Sequence, residues 1–176
     1  EGLFDFTGAI LLYVAEVFAI TIYLLGIFTS LNLLKRKSIE LDEYPQEDWP
    51  TVDILIPTYN EPQIIIENTV LAALAMDYPA DKFTVNLLDD GGTDQKCNDA
   101  DPLKAEEAKQ RRKDLMIFCD YVGARYLTRE KNENAKAGNL NTALSSVHND
   151  YILILDTDHV PAKQFLKKTT GWFLKD

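Results

Sequence analysis

Cysteine is nearly absent. Cys97 and Cys119 lie in different segments and match no zinc spacing, so two reduced cytosolic thiols are expected. Basic residues are the minority, 18 against 28 acids for a net charge of -10, which excludes a nucleic-acid footprint. Those present are grouped at Lys35-Arg36-Lys37, Arg111-Arg112-Lys113 and Lys167-Lys168. Neither a phosphate-binding GxxxxGK(S/T) loop nor a dinucleotide GxGxxG occurs, so NTPase and dehydrogenase readings lose support. An initiating methionine is also missing, and a chain running from Glu1 to Asp176 reads as a fragment of something larger.

Long apolar runs are confined to one place. From Phe6 to Leu34 the only formal charge is Glu16. About 20 apolar residues suffice for a helix to cross the hydrocarbon. The run is too long for a signal-peptide core, and Glu1 and Asp5 stand where such a peptide needs basic residues. A transmembrane helix is expected over residues 1–37, its basic flank Lys35-Arg36-Lys37 placing the C-terminal side in the cytoplasm. Glu16, near mid-helix, is expected to face further spanning helices or a polar channel. Residues 38–50 read as a membrane-proximal linker, with Trp49 resting at headgroup level.

Beyond it, strand and helix signals alternate. Strands are predicted over 52–56, 83–88, 124–127 and 151–155, and helices over 62–76, 102–122, 136–148 and 161–174. Asp101 before Pro102 marks one helix start. The alternation implies a doubly wound, mostly parallel α/β sheet in residues 51–176, and ligands bind such sheets beyond the strands' carboxyl ends. With strand order 3-2-1-4, residues Thr58-Tyr59-Asn60-Glu61 and Asp156-Thr157-Asp158 face each other across the crevice, beside Asp89-Asp90.

Two of these apolar strands run straight into acids. Like charges crowded at the tip of a buried strand repel, and partial burial raises the cost of ionising them. A divalent cation removes that cost. Asp156 and Asp158, two apart in an extended segment, share a side and suit Mg²⁺ or Mn²⁺, with substrate phosphate completing the shell. The alternative is a solvated turn. Asp89-Asp90-Gly91-Gly92 is either a simple Asp-Gly turn or an acidic pair whose glycines let backbone approach a ligand. Tyr59 offers a flat face for a base, or is an exposed loop residue. Lys136, at a helix start, is either a diphosphate anchor or a solvated lysine.

Four segments in this order resemble the processive family-2 glycosyltransferases, most closely their cellulose-making bacterial branch. They are Val52 to Pro62, Asp89 to Asp94, Ala135-Lys136-Ala137-Gly138-Asn139, and Asp156-Thr157-Asp158-His159-Val160-Pro161. The resemblance implies a GT-A fold that binds UDP-glucose and Mg²⁺ and extends a β-1,4-glucan with inversion. It places Thr58, Tyr59 and Glu61 at the uridine, and Asp89 and Asp90 on the nucleotide, Asp90 being the acid counted as a catalytic, active-site residue. Lys136 then lies by the diphosphate, and Asp156 and Asp158 contact UDP and its metal. The family has His where this chain has Asn134. A general base in a TED-type motif, an acceptor-binding QxxRW motif, later transmembrane helices and a cyclic-di-GMP module are implied downstream of Asp176. A glucan acceptor, a lipid bilayer (the bacterial inner membrane) and a periplasmic partner subunit are the implied partners. Synthesis of chitin, hyaluronan or mannan, a non-catalytic nucleotide-sugar sensor, and a haloacid-dehalogenase-type phosphatase using Asp156 as nucleophile are the alternatives.

Overall fold

The computed structural model describes residues 2–31, 39 and 41–174, which fall in two compact units divided between Lys37 and Ser38. The basic flank Lys35-Arg36-Lys37 lies outside the described residues.

The first unit is a single helix, α1 (Gly2–Leu31), with no buried residue. Thirty residues rise about 45 Å, more than a hydrocarbon core of about 30 Å. Its serine and threonine hydroxyls bond within the helix: Thr21 donates to the Val17 carbonyl (2.7 Å) and Ser30 to that of Gly26 (2.8 Å). That economy suits a helix whose surroundings offer no water.

The second unit contains β1 (Val52–Thr58), α2 (Gln63–Leu74), β2 (Phe83–Asp89), α3 (Asp94–Cys97), α4 (Pro102–Val122), β3 (Arg125–Leu127), α5 (Ala135–Ala143), β4 (Tyr151–Ile154) and α6 (Phe165–Thr169). The sheet is parallel throughout, in the expected order β3-β2-β1-β4. All seven residues of β1 are buried, as a central strand covered on both faces requires. One face packs Ile54, Ile56, Val85 and Leu87 under α2 and α4. The other packs Leu55 and Leu88 against Ala143 and Val147, from α5 and the segment after it. Helix α4 starts where expected: Asp101 accepts from the Leu103 N–H, Pro102 follows, and Gly123 (φ 82°) ends the helix in the left-handed region.

Three expectations need correction. Trp49 does not rest at a headgroup level. Its ring is buried in the core 5.5 Å from that of Tyr78, and its Nε1–H donates to the Leu41 and Tyr44 carbonyls. An indole that finds both apolar cover and acceptors has no reason to stay at a surface. Strand β4 is not buried on both faces. Among the described residues it is an edge, and Ile152 and Ile154 are 42% and 48% exposed. The helix expected over 161–174 shrinks to α6 and a 3-10 turn over 170–174, where the Thr169 and Thr170 hydroxyls donate back to the carbonyls of Phe165 and Leu166. The short α3, capped by Thr93, is not foreseen by the residue pattern.

Asp53 is a buried acid inside β1, and it ties the sheet to the turn before β4. It accepts from the backbone N–H groups of His148 (3.1 Å) and Asn149 (2.9 Å) and from Asn86 Nδ2 (3.1 Å). Replacing Asp53 with Ala orphans the His148 and Asn149 N–H groups, and a urea titration is expected to show a loss of about 2 kcal/mol. A loss below about 0.5 kcal/mol would mean the turn finds other acceptors.

Candidate functional site

A cavity of about 760 Å³ opens at the carboxyl ends of β1, β2 and β4. Its wall includes Thr58, Tyr59, Glu61, Asp90, Lys136, Asp156 and Asp158. Seven of the eight residues expected at the site are therefore together, at the reversal of strand order between β1 and β4. Asp89 is not part of the wall. It is fully buried behind it.

The chain itself neutralises the acids ending β2. Arg111 Nε donates to Asp89 Oδ1 (3.0 Å), the Tyr126 hydroxyl to Asp89 Oδ2 (2.8 Å), and the Gly91 N–H to Oδ1 (2.9 Å). Asp90 meets Arg129 side-on, Nε to Oδ1 and Nη2 to Oδ2, both at 2.7 Å. A bidentate guanidinium is the strong form of such a pair. Asp89 and Asp90 therefore call for no metal, contrary to what their crowding implies in sequence. Burial, reinforced by the charge of Asp89, raises the Tyr126 hydroxyl far above its ordinary range and pushes the Cys119 thiol up to about 12. The glycines also serve an internal purpose. A side chain on Gly91 would collide with the Tyr59 carbonyl and the Arg111 guanidinium, so the close approach is within the protein.

The same arginines link the walls. Arg111 also donates to the Glu61 carbonyl (3.0 Å) and Thr58 Oγ1 (3.1 Å). Arg129 also donates to the carbonyls of Glu133 (2.7 Å) and Ala135 (3.0 Å) at the start of α5. Glu61 closes its own loop, accepting from the Thr58 hydroxyl and the Tyr59 N–H, both at 2.7 Å. Burial pushes its carboxyl up, but these bonds outweigh it and hold Glu61 below the usual range. The Lys96 ammonium lies 3.5 Å from the centre of the half-exposed Tyr59 ring.

The opposite wall differs. Asp156-Thr157-Asp158 is not extended strand; it lies in a turn closed by the His159 N–H to the Asp156 carbonyl (2.9 Å). The turn still brings ligand atoms of Asp156, Asp158 and His159 within 4.8 Å of one another. Lys136, the second residue of α5, pairs with Asp156, and this hydrogen bond, against a small effect of burial, lowers the Asp156 carboxyl below its ordinary value. Asn134, where the family has His, makes no side-chain cap and sits at φ 57°, followed by Ala135 at φ 44°.

Arg111, Tyr126, Arg129 and His159 join the site without having been foreseen from the sequence. Arg111 had a signal: it falls between Ala108 and Leu115 on the buried stripe of α4, where a charge needs a partner. His159 directly follows the Asp156-Thr157-Asp158 acids. Arg129, in a loop, carried no periodic cue.

The family model for glycosyl transferase family 2 matches residues 53–176. The chain belongs to that family. It is 43% identical over 172 residues to the cellulose synthase catalytic subunit (UDP-forming) of Xanthomonas axonopodis pv. citri, covering 98% of this chain and 21% of the relative. The corresponding subunit of Pseudomonas fluorescens is 42% identical over 165 residues, covering 94% of this chain and 20% of the relative. The chain thus spans about a fifth of these relatives' length. Among solved structures, a mannosyltransferase from Pyrobaculum calidifontis in complex with GDP-Man and Mn²⁺ is 26% identical, with TM-score 0.53 over 86% of this chain and 40% of that one. S. aureus TarS with UDP-GlcNAc shares the fold at 20% identity and TM-score 0.52, over 70% of this chain and 31% of that one. Membership in a glycosyltransferase family with this GT-A fold removes the phosphatase alternative.

The Arg129–Asp90 pair is 7% and 4% exposed, so removing one partner strands a buried charge. Arg129→Met is expected to destabilise the unit by about 3 kcal/mol. Adding Asp90→Asn should recover part of that loss. Additive losses in a denaturant titration would show that the two residues do not act as a pair.

Proposed function

We propose that this chain is the nucleotide-sugar-binding part of a membrane-associated glycosyltransferase that transfers glucose from UDP-glucose to a growing β-1,4-glucan with inversion. The observation that carries the reading is the convergence of Thr58, Tyr59, Glu61, Asp90, Lys136, Asp156 and Asp158 on one cavity of nucleotide-sugar size. Its likeness to cellulose synthase subunits supplies the sugar and the polymer. Association with a bilayer follows from α1 together with these relatives. We place the whole enzyme in the bacterial inner membrane, with Glu16 facing further helices and a periplasmic subunit as partner.

The two carboxylates of the converging trio fit a hard divalent cation, and Lys136 meets them from one side, at Asp156. Asp156 and Asp158 would hold it, Mg²⁺ being our choice, with His159 beside them. A cation bound there supplies positive charge that offsets the charge growing on the departing diphosphate. The chain's residues do the rest. Tyr59 presents its ring to the base while Glu61 and Thr58 fix the loop around it. Lys136, in the first turn of α5 on the cavity wall, meets the diphosphate. Asp90, oriented by Arg129, accepts hydrogen bonds from the bound donor as the active-site carboxylate of the resemblance. Asp89 acts from behind, positioning Arg111 against Thr58.

Calorimetry of the detergent-solubilised chain should show metal-dependent binding of UDP-glucose in preference to UDP-GlcNAc and GDP-mannose. Asp158→Asn should weaken it about 10- to 100-fold. Preference for UDP-GlcNAc or GDP-mannose would favour a different β-linked polymer. Binding that ignores both metal and substitution would overturn the site.

A further inference from the structure

The ion pair between Lys136 and Asp156 places an ammonium where a metal ligand is needed. Asp156 Oδ1 is the atom it occupies, and Oδ2 looks toward His159 Nδ1 at 3.9 Å. Asp158 Oδ1 lies 3.8 Å from His159 Nε2. With Lys136 in place, one of three ligand groups is already bonded, and a divalent cation entering the trio meets a like charge beside it.

Nothing in the packing pins Lys136 there. Its side chain is half exposed, as is that of Asp156, and it leaves from the first turn of α5, which also lines the cavity. Behind it, Arg129 fixes the Ala135 carbonyl and the Gly138 N–H bonds to the Asn134 carbonyl, so the helix start itself stays put. The ammonium can therefore turn on its flexible stem from Asp156 to an anion seated at the helix N-terminus without any change of backbone.

Resting on the donor-site reading above, we infer that Lys136 is an exchangeable counterion that makes metal and nucleotide binding mutually dependent. In the empty cavity it satisfies Asp156 and disfavours metal alone. An arriving diphosphate draws it away and frees Asp156 for the cation. The coupling is reciprocal: whatever factor UDP adds to metal affinity, metal adds to UDP affinity.

The test is Mn²⁺ binding to the detergent-solubilised chain, read from the electron paramagnetic resonance of free Mn²⁺, with and without UDP. For the parent chain, UDP should tighten Mn²⁺ by a factor in the range of about 5 to 150. Lys136→Met should bind Mn²⁺ alone about fivefold or more tightly than the parent, and its gain from UDP should shrink. Lys136→Arg, which keeps the charge, should behave as the parent. If UDP tightens Mn²⁺ in the parent but Lys136→Met binds metal alone no better, the exchange falls and the donor site stands. If the parent takes up no Mn²⁺ even with UDP, both fall.

Discussion

Two guanidinium–carboxylate pairs behind the cavity hold the rest of it in place. Carboxylates at the end of a buried strand cost desolvation energy, and Arg111 and Arg129 offset that cost for Asp89 and Asp90. Each arginine has donors left over and spends them on backbone. Arg111 reaches the loop after β1, and Arg129 reaches the start of α5. The ends of β1, β2 and α5 are thereby joined through two planar groups. A nucleotide-sugar site needs fixed walls of this kind, because a loose wall loses orientation before it loses binding.

The fourth wall is built otherwise. Asp156 and Asp158 follow the edge strand β4, and their segment is fastened by backbone contacts: the Leu155 N–H to the Leu55 carbonyl (3.0 Å) and the Thr69 hydroxyl to the Thr157 carbonyl. The backbone is positioned while the carboxylates stay accessible, at side-chain exposures of 46% and 76%. Acids committed to arginines are fixed in orientation. Acids left in water can take up and release a cation.

Much of this is legible in the residues. Apolar runs and period-3.6 patterns locate all four strands, and the order assumed for them is the one the structure has, since alternation of strand and helix leaves few right-handed topologies. Seven of the eight site residues fall on one cavity because the crevice position follows from strand order. What escapes is pairing. Asp89 looks like a site acid, and only the three-dimensional approach of Arg111 from α4 and Tyr126 from β3 shows what closes on it. Trp49 misleads for a similar reason: its neighbours in sequence are polar and turn-forming, and its real neighbour, Tyr78, is a distant part of the chain. The turn that gathers Asp156, Asp158 and His159 reads as extended because D-x-D spacing gives side-by-side carboxylates in either geometry.

The charge balance of the cavity shows why a cation and an anionic ligand belong together here. Once Asp90 is assigned to Arg129, the wall presents Glu61, Asp156 and Asp158 against Lys136. Glu61 is held by two hydrogen bonds of its own loop and stays ionised within the wall. A diphosphate entering alone would add negative charge to a surface already in deficit of positive charge. A divalent cation entering alone would meet the ammonium on Asp156. Entering together, each removes the obstacle to the other, since the phosphate attracts Lys136 while the metal neutralises the carboxylates it leaves. On the proposed reading, the acidity of the chain as a whole, net -10, poses no barrier to binding an anion, because the ligand is the metal–nucleotide complex rather than the bare nucleotide.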